Sequence, residues 1–106
     1  MQVFKEIEVA ELMAMLEEDG DKVHLIDIRG PVEIAKGIIP GSDTMPLHQL
    51  PMNMEKLRAK EIVVLYCQVG VRSAQACAYL TANGIENVHN LRGGIQAWVK
   101  SGLQVA

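Results

Sequence analysis

The segment Cys67-Gln68-Val69-Gly70-Val71-Arg72-Ser73 gathers a thiol, a glycine, a permanent positive charge and a hydroxyl within seven positions. The reactive form of cysteine is the thiolate. At the ordinary pKa of about 8.5, only roughly 3% of a cysteine is ionised at pH 7. Nucleophilic chemistry at Cys67 therefore needs something that stabilises an anion. The context supplies it. An apolar, β-branched run, Ile62-Val63-Val64-Leu65-Tyr66, precedes the thiol, and a helical pattern opens at Arg72. A thiol at such a junction meets unpaired backbone N–H groups and the positive end of a helix dipole. Gly70 permits the backbone curl that turns successive amides inward. Arg72 contributes a guanidinium that stays charged, and Ser73 can cap the turn. Gln68, Val69 and Val71 are neutral and offer backbone amides. No histidine base lies near the segment, and none is required if these donors ionise the thiol. A lone cysteine at a strand's end is most often a small hydrophobe. A Cys-x-x-Gly-x-Arg-Ser string between strand and helix has few packing explanations, which favours the functional reading.

Hydrophobic periodicity indicates the strands and helices around this segment. Residues 3–7 are predicted as a short strand. Val9, Leu12, Met13 and Leu16 share one helical face, and Asp19-Gly20 is expected to end that helix with a left-handed glycine. Val23–Ile28 reads as a strand apolar on both faces. Pro31 suits the first turn of a short helix reaching about Lys36. Pro40-Gly41 marks a turn, and residues 43–46 a short strand. Between 47 and 60, Leu50, Met54 and Leu57 suggest a helix with Pro51 near its start. Met45, Met52 and Met54 are expected to pack in the core or a loop. Ile62–Tyr66 has the composition of a central parallel strand. A helix from Arg72 to Asn83 is expected to turn Ala74, Cys77, Ala78 and Thr81 inward, ending at Asn83-Gly84. Val88–Leu91 is a strand. A last helix, with Ile95, Trp98 and Val99 inward, stops at Ser101-Gly102. Strands separated by helices give an α/β fold, a parallel sheet of about five strands flanked by helices on both faces. Functional residues of such sheets collect at the carboxyl ends of the strands.

The 106 residues suit one domain, 1–106. Residues are 49% apolar but only 4% aromatic, so the core must be aliphatic. Ten Lys and Arg against thirteen Asp and Glu give a net charge of −3. With no basic block, nucleic acid and anionic membrane are excluded as partners. The longest apolar run, Ile62–Cys67, falls far short of the ~20 residues of a spanning helix. The chain turns charged at Lys5-Glu6 before an apolar leader can form. A cytoplasmic location with both cysteines reduced is the expectation. His24, His48 and His89 have no metal-ligand spacing, and no Cys-x-x-Cys, Walker or dinucleotide motif occurs, so neither metal nor other cofactor is expected.

The remaining polar and sulfur residues have structural readings. Cys77, ten positions after Cys67, is expected in the core. Asp27 is expected to organise the turn after its strand, the alternative being a hydrogen-bond acceptor behind the active site. Arg29 and Glu33, four apart, form a local ion pair. Arg92, at another strand's carboxyl end, is expected to be a solvated surface residue, the alternative being a second positive charge at the site, and Trp98 is expected to be a core anchor.

The Cys67–Ser73 segment resembles the active-site loop of the single-domain rhodaneses, a family of sulfurtransferases. Leu25-Ile26-Asp27-Ile28-Arg29, Glu33 and Gly37-Ile38-Ile39-Pro40-Gly41 resemble the family's first motif. Asn90-Leu91-Arg92-Gly93-Gly94-Ile95-Gln96-Ala97-Trp98 resembles its last. The match runs over about residues 4–102. One departure is Ile38, where members usually carry histidine. The resemblance implies a rhodanese-like fold and a Cys67 that takes sulfane sulfur from a donor and holds it as a persulfide. Gln68, Val69, Gly70, Val71, Arg72 and Ser73 would cradle the donor. Thiosulfate or a low-molecular-weight or protein persulfide would give the sulfur, and a thiol, cyanide or a sulfur-carrier protein would receive it. Arg72 is the one basic residue in the loop, thin provision for a dianion such as thiosulfate. Two other readings stand beside this one. Cysteine phosphatases and arsenate reductases place five residues between Cys and Arg, whereas four separate Cys67 from Arg72. The shorter loop suits a single sulfur better than a tetrahedral phosphate. A rhodanese-like interaction module, or a protein-to-protein sulfur relay with little turnover of its own, is the other reading. Interaction modules commonly lose the cysteine, which this chain keeps.

Overall fold

The computed structural model describes residues 4–106. Five strands form one sheet: β1 (Lys5–Ile7), β2 (Val23–Asp27), β3 (Asp43–Thr44), β4 (Ile62–Tyr66) and β5 (Val88–Leu91). All pair in parallel, in the order β1-β5-β4-β2-β3. The α/β architecture expected from the sequence, a parallel sheet of about five strands flanked by helices on both faces, is therefore the one observed. Parallel pairing brings the carboxyl ends of β1, β2, β4 and β5 to one edge.

Side chains alternate along the strands and build a core on each face. Ile26, Val63 and Leu65 meet Leu50, Leu57, Ala76, Cys77 and Leu80 on one side. Leu25, Val64 and Tyr66 meet Leu12, Ile39, Ile95 and Trp98 on the other. Two helices, α1 (Val9–Asp19) and α5 (Gly94–Lys100), cover the second face, while α3 (Met54–Arg58) and α4 (Val71–Ala82) cover the first. The short α2 (Pro31–Ile34) follows β2 and carries proline in its first turn.

Several details differ from the sequence reading. Gly20 is right-handed at φ −52°, and the chain runs on into a 3-10 turn, Gly20–Lys22, instead of stopping in a left-handed cap. The inward face of α4 is Ser73, Ala76, Cys77 and Leu80, while Ala78 is exposed. Burying Leu80 gains more than burying small residues, so the helix turns its branched side chain to the core. Residues 47–60 divide into a 3-10 segment, Leu47–Asn53, that contains Pro51, and then α3. The proline lacks the N–H that an α-helix interior would use. Met45 is buried and Met54 packs on the core, but Met52 is exposed. Val99 is also exposed, on the solvent side of α5, whereas Ile95 and Trp98 point inward. The strand expected at 3–7 is seen over Lys5–Ile7, and Val3 lies outside the described residues. The strand expected at 43–46 is seen over Asp43–Thr44, with the Met45 N–H still donating to the Asp27 carbonyl at 2.9 Å.

Candidate active site

Cys67 follows the last residue of β4, and α4 starts four residues later. Gly70 makes the tight return between them, with φ +95° at the N-cap of α4. A side chain there would meet the Gly93 nitrogen at 3.0 Å and the Leu91 carbonyl at 3.3 Å. Glycine satisfies both the left-handed backbone and the close approach. The bend turns amides towards sulfur. The Gly70 N–H donates to Cys67 Sγ at 3.2 Å and the Ser73 N–H at 3.4 Å, with Ser73 Oγ also 3.4 Å away. Burial acts most strongly on Cys67 and opposes its ionisation. Hydrogen bonds from the Ser73 hydroxyl and from the Ser73, Gly70 and Val69 amides outweigh it and leave the pKa below that of an ordinary thiol. Cys67 is 1% exposed, so the sulfur lies at the floor of the loop. A donor must present a slim terminal atom to reach it.

Two layers hold the loop from outside. Asn90, at the end of β5, accepts a hydrogen bond from Ser73 Oγ at 2.5 Å. Its amide donates to the Gly70 carbonyl at 3.2 Å and to Glu6 Oε1 at 2.6 Å. The single Ser73 hydroxyl proton serves either Asn90 or an ionised Cys67 at one time. On the opposite side, the first turn of α5 receives the loop: Ile95 N–H donates to the Cys67 carbonyl at 3.0 Å and Gln96 N–H to the Gln68 carbonyl at 3.1 Å. Gly94 lies so close to these carbonyls that a side chain would overlap them.

Charge at the site is paired throughout. Buried Asp27 holds Arg29 through its side chain at 2.8 Å, and also accepts the Arg29 backbone N–H at 2.9 Å. Burial opposes the Arg29 charge, and Asp27 more than compensates, keeping the guanidinium protonated. Arg29 then donates to Gln68 Oε1 at 3.0 Å and to the Gly37 carbonyl at 2.6 Å. The Arg29–Glu33 pair expected from spacing is thus replaced. Glu33 instead grips Arg72 with both oxygens, at 2.9 and 2.7 Å. The Arg72 hydrogen bond, ahead of a weaker opposing burial, holds Glu33 below the usual carboxylate range. Arg72 is held charged chiefly by Glu33, with Cys67 contributing less. Arg92 lies at the surface and pairs with Glu8 at 3.0 Å.

A family model described as Rhodanese-like domain matches residues 8–101. The chain belongs to this family. It is 48% identical over 87 residues to a protein named sulfurtransferase from Allochromatium vinosum, covering 82% of this chain and 81% of that one. A rhodanese-like domain protein from Staphylococcus aureus is 36% identical with a TM-score of 0.81, covering 97% of this chain and 99% of the other. A Rhodopseudomonas palustris protein of unknown function, described as a possible tyrosine phosphatase, has a TM-score of 0.88 at 27% identity, covering 97% of this chain and 85% of that one. Family membership and the sulfurtransferase names of relatives support sulfur transfer as the class of activity. No helix among the described residues is long and apolar enough to cross a membrane.

In this rhodanese-like chain, the residues from Cys67 to Ser73 form one loop, as their adjacency requires, but they do not act alike. Cys67, Val69, Gly70 and Ser73 meet at the sulfur; Gln68 turns to Arg29; the Val71 side chain is exposed; Arg72 turns to Glu33. Sequence reasoning missed Asn90 as the partner of Ser73 and assigned Glu33 to the wrong arginine. The signal for Asn90 was weak: a polar residue between the apolar ends, Val88 and Leu91, of a short strand that also carries His89.

Proposed function

We propose that Cys67 is the nucleophile of a two-step sulfur transfer. The Cys67 thiolate attacks the outer sulfur of a sulfane donor, the S–S bond of the donor breaks, and the donor leaves as a thiolate or, from thiosulfate, as sulfite. Cys67 then carries one extra sulfur as a persulfide. An acceptor thiolate or cyanide attacks that outer sulfur, the bond to Cys67 Sγ breaks, and the Cys67 thiolate is regenerated. No external oxidant or reductant is needed, because the sulfane sulfur is exchanged between like partners.

The observation that carries the proposal is the convergence of the Gly70 and Ser73 N–H groups on Cys67 Sγ, with the Ser73 hydroxyl 3.4 Å away and the pKa held below that of an ordinary thiol. Gln68, Val69, Gly70, Val71, Arg72 and Ser73 form the donor-binding loop in this reading. Incubation with a persulfide or thiosulfate, followed by mass spectrometry, should add about 32 Da to Cys67. Cys67→Ser should carry no adduct and keep its circular dichroism. An adduct-free parent chain with every donor refutes the proposal.

A relay between proteins is the second reading, with the same adduct but slow turnover of small donors. The exposed apolar residues of the loop, Val69 and Val71, favour it. Phosphate-ester hydrolysis is disfavoured by the short loop and by the pairing of Arg72. Release of p-nitrophenol from p-nitrophenyl phosphate, lost in Cys67→Ser, is the outcome that would reinstate it.

A further inference from the structure

We infer that Glu33 is a specificity-determining residue that turns the Cys67 site away from dianionic thiosulfate and towards alkyl persulfides, RS–SH. The inference rests on the sulfur-transfer reading above and names the donor class of that same site.

Arg72 is the one cation in the Cys67–Ser73 loop. Both terminal nitrogens of its guanidinium are engaged by Glu33, at 2.9 and 2.7 Å, in a fork that cancels its charge at a distance. The other guanidinium near the loop, Arg29, is 3% exposed and spends its N–H groups on Asp27, Gln68 and the Gly37 carbonyl. Arg72 does act on Cys67, but as the Glu33-paired guanidinium, and Arg29 is paired with Asp27, so neither brings a net positive charge to the sulfur. Lys36 and Lys100 are exposed and line an adjoining cleft with Glu33 and Gln68. Their charges act mainly through solvent and are screened by salt.

The two donor classes differ in what they ask of such a site. Thiosulfate brings two negative charges and leaves as sulfite, itself anionic, so it needs a free cation throughout. An alkyl persulfide brings at most one charge at its outer sulfur, which the amides of the loop can meet. Glu33 therefore penalises the first donor and is nearly silent towards the second. The chemistry is shared by a small-molecule persulfide and by a persulfide on a protein cysteine.

The test compares kcat/KM for thiosulfate, for 2-hydroxyethyl persulfide, whose body is neutral, and for a persulfidated small protein, in the parent chain and in three variants. Glu33→Gln removes the carboxylate charge and frees Arg72. Glu33→Asp keeps the charge. Glu8→Gln makes the same change of net charge at the Arg92 pair, outside the loop. In the parent, either persulfide should outpace thiosulfate, and the faster of the two identifies its source. Glu33→Gln should raise kcat/KM for thiosulfate about tenfold, the effect of 1.4 kcal/mol, and change the persulfide rates less than twofold. The gain should shrink with added salt. Glu33→Asp and Glu8→Gln should keep the parental donor ratio. Thiosulfate outpacing both persulfides in the parent overturns the inference. So does a Glu33→Gln chain whose donor ratio stays parental, or a Glu8→Gln chain with the same gain. Should Glu33→Gln not fold, Glu33→Ser is read in its place by the same criteria. The mass adduct on parental Cys67 separates the two levels: its absence with all donors removes the sulfur-transfer reading itself, whereas its presence with an unchanged ratio removes only the role of Glu33.

Discussion

Replacing Ser73 with alanine removes one hydroxyl from the Cys67 cradle and leaves the backbone donors of Ser73 and Gly70 in place. A hydrogen bond to a charged group contributes about 1.5–3 kcal/mol. At 3.4 Å, the contact belongs at the lower end of that range. A loss of about 1.5 kcal/mol lowers the thiolate population roughly tenfold at any pH below the Cys67 pKa. The sign follows from the donor: losing it disfavours the anion, so the pKa rises. The rate of persulfide formation should fall about tenfold on the acid side of the profile and recover at alkaline pH, where the thiol is ionised in both chains. The thiolate can be read directly by its ultraviolet absorbance, with Cys67→Ser as blank. Cys77 does not interfere, because burial pushes its pKa up to about 12. A parallel fall at every pH would mean that alanine damaged the fold and not the ionisation. A titration identical to the parent would mean that the hydroxyl stays on Asn90 even when the sulfur is charged, and the account of the cradle would then rest on the amides alone.

Other perturbations test neighbouring parts of the molecule. Arg72→Ala removes a guanidinium that acts on Cys67 and leaves the Glu33 carboxylate uncompensated beside the loop, so the thiolate population should fall; a titration identical to the parent contradicts the electrostatic account. Asp27→Asn leaves Arg29 at 3% exposure without a counter-charge. Denaturant melts should show a loss of about 3–5 kcal/mol, and a loss below 1 kcal/mol would show that water reaches the guanidinium. Cys77→Ala should keep full sulfur transfer and also remove an alkaline instability. The unfolded thiol ionises above about 8.5, whereas the folded thiol stays protonated to about 12. The unfolded state then binds fewer protons, and stability falls as pH rises. By pH 10 the cost is about 2 kcal/mol, of which about 0.4 kcal/mol is already present at pH 8.5, so the parent should lose about 1.6 kcal/mol between pH 8.5 and 10 relative to Cys77→Ala. Tyr66, held near 12 by burial, adds its own loss only above pH 10.

How much of this was legible in the sequence depends on the range of the interaction. The strands were legible because two-sided burial leaves unbroken apolar runs, as in Ile62–Tyr66. The loop was legible because its parts are adjacent in the chain: Gly70 and Ser73 lie within six residues of the sulfur they face. The orientation of α4 was misread by about one residue, since small residues at Ala74 and Ala78 hid the stronger claim of Leu80. The partners of charged groups were least legible. Spacing of four along the chain favoured an Arg29–Glu33 contact, but such a pair contributes only tenths of a kcal/mol in water. Parallel strand order sets Asp27 and Tyr66 side by side and brings β2's end next to the loop. Arg29 is then buried, and a buried cation needs the nearest carboxylate, that of Asp27, at once. Glu33 is left free to cross 39 positions of sequence to Arg72. The pairing of charge around Cys67 is thus a consequence of sheet topology, and the electrical character of the loop is decided by residues outside it.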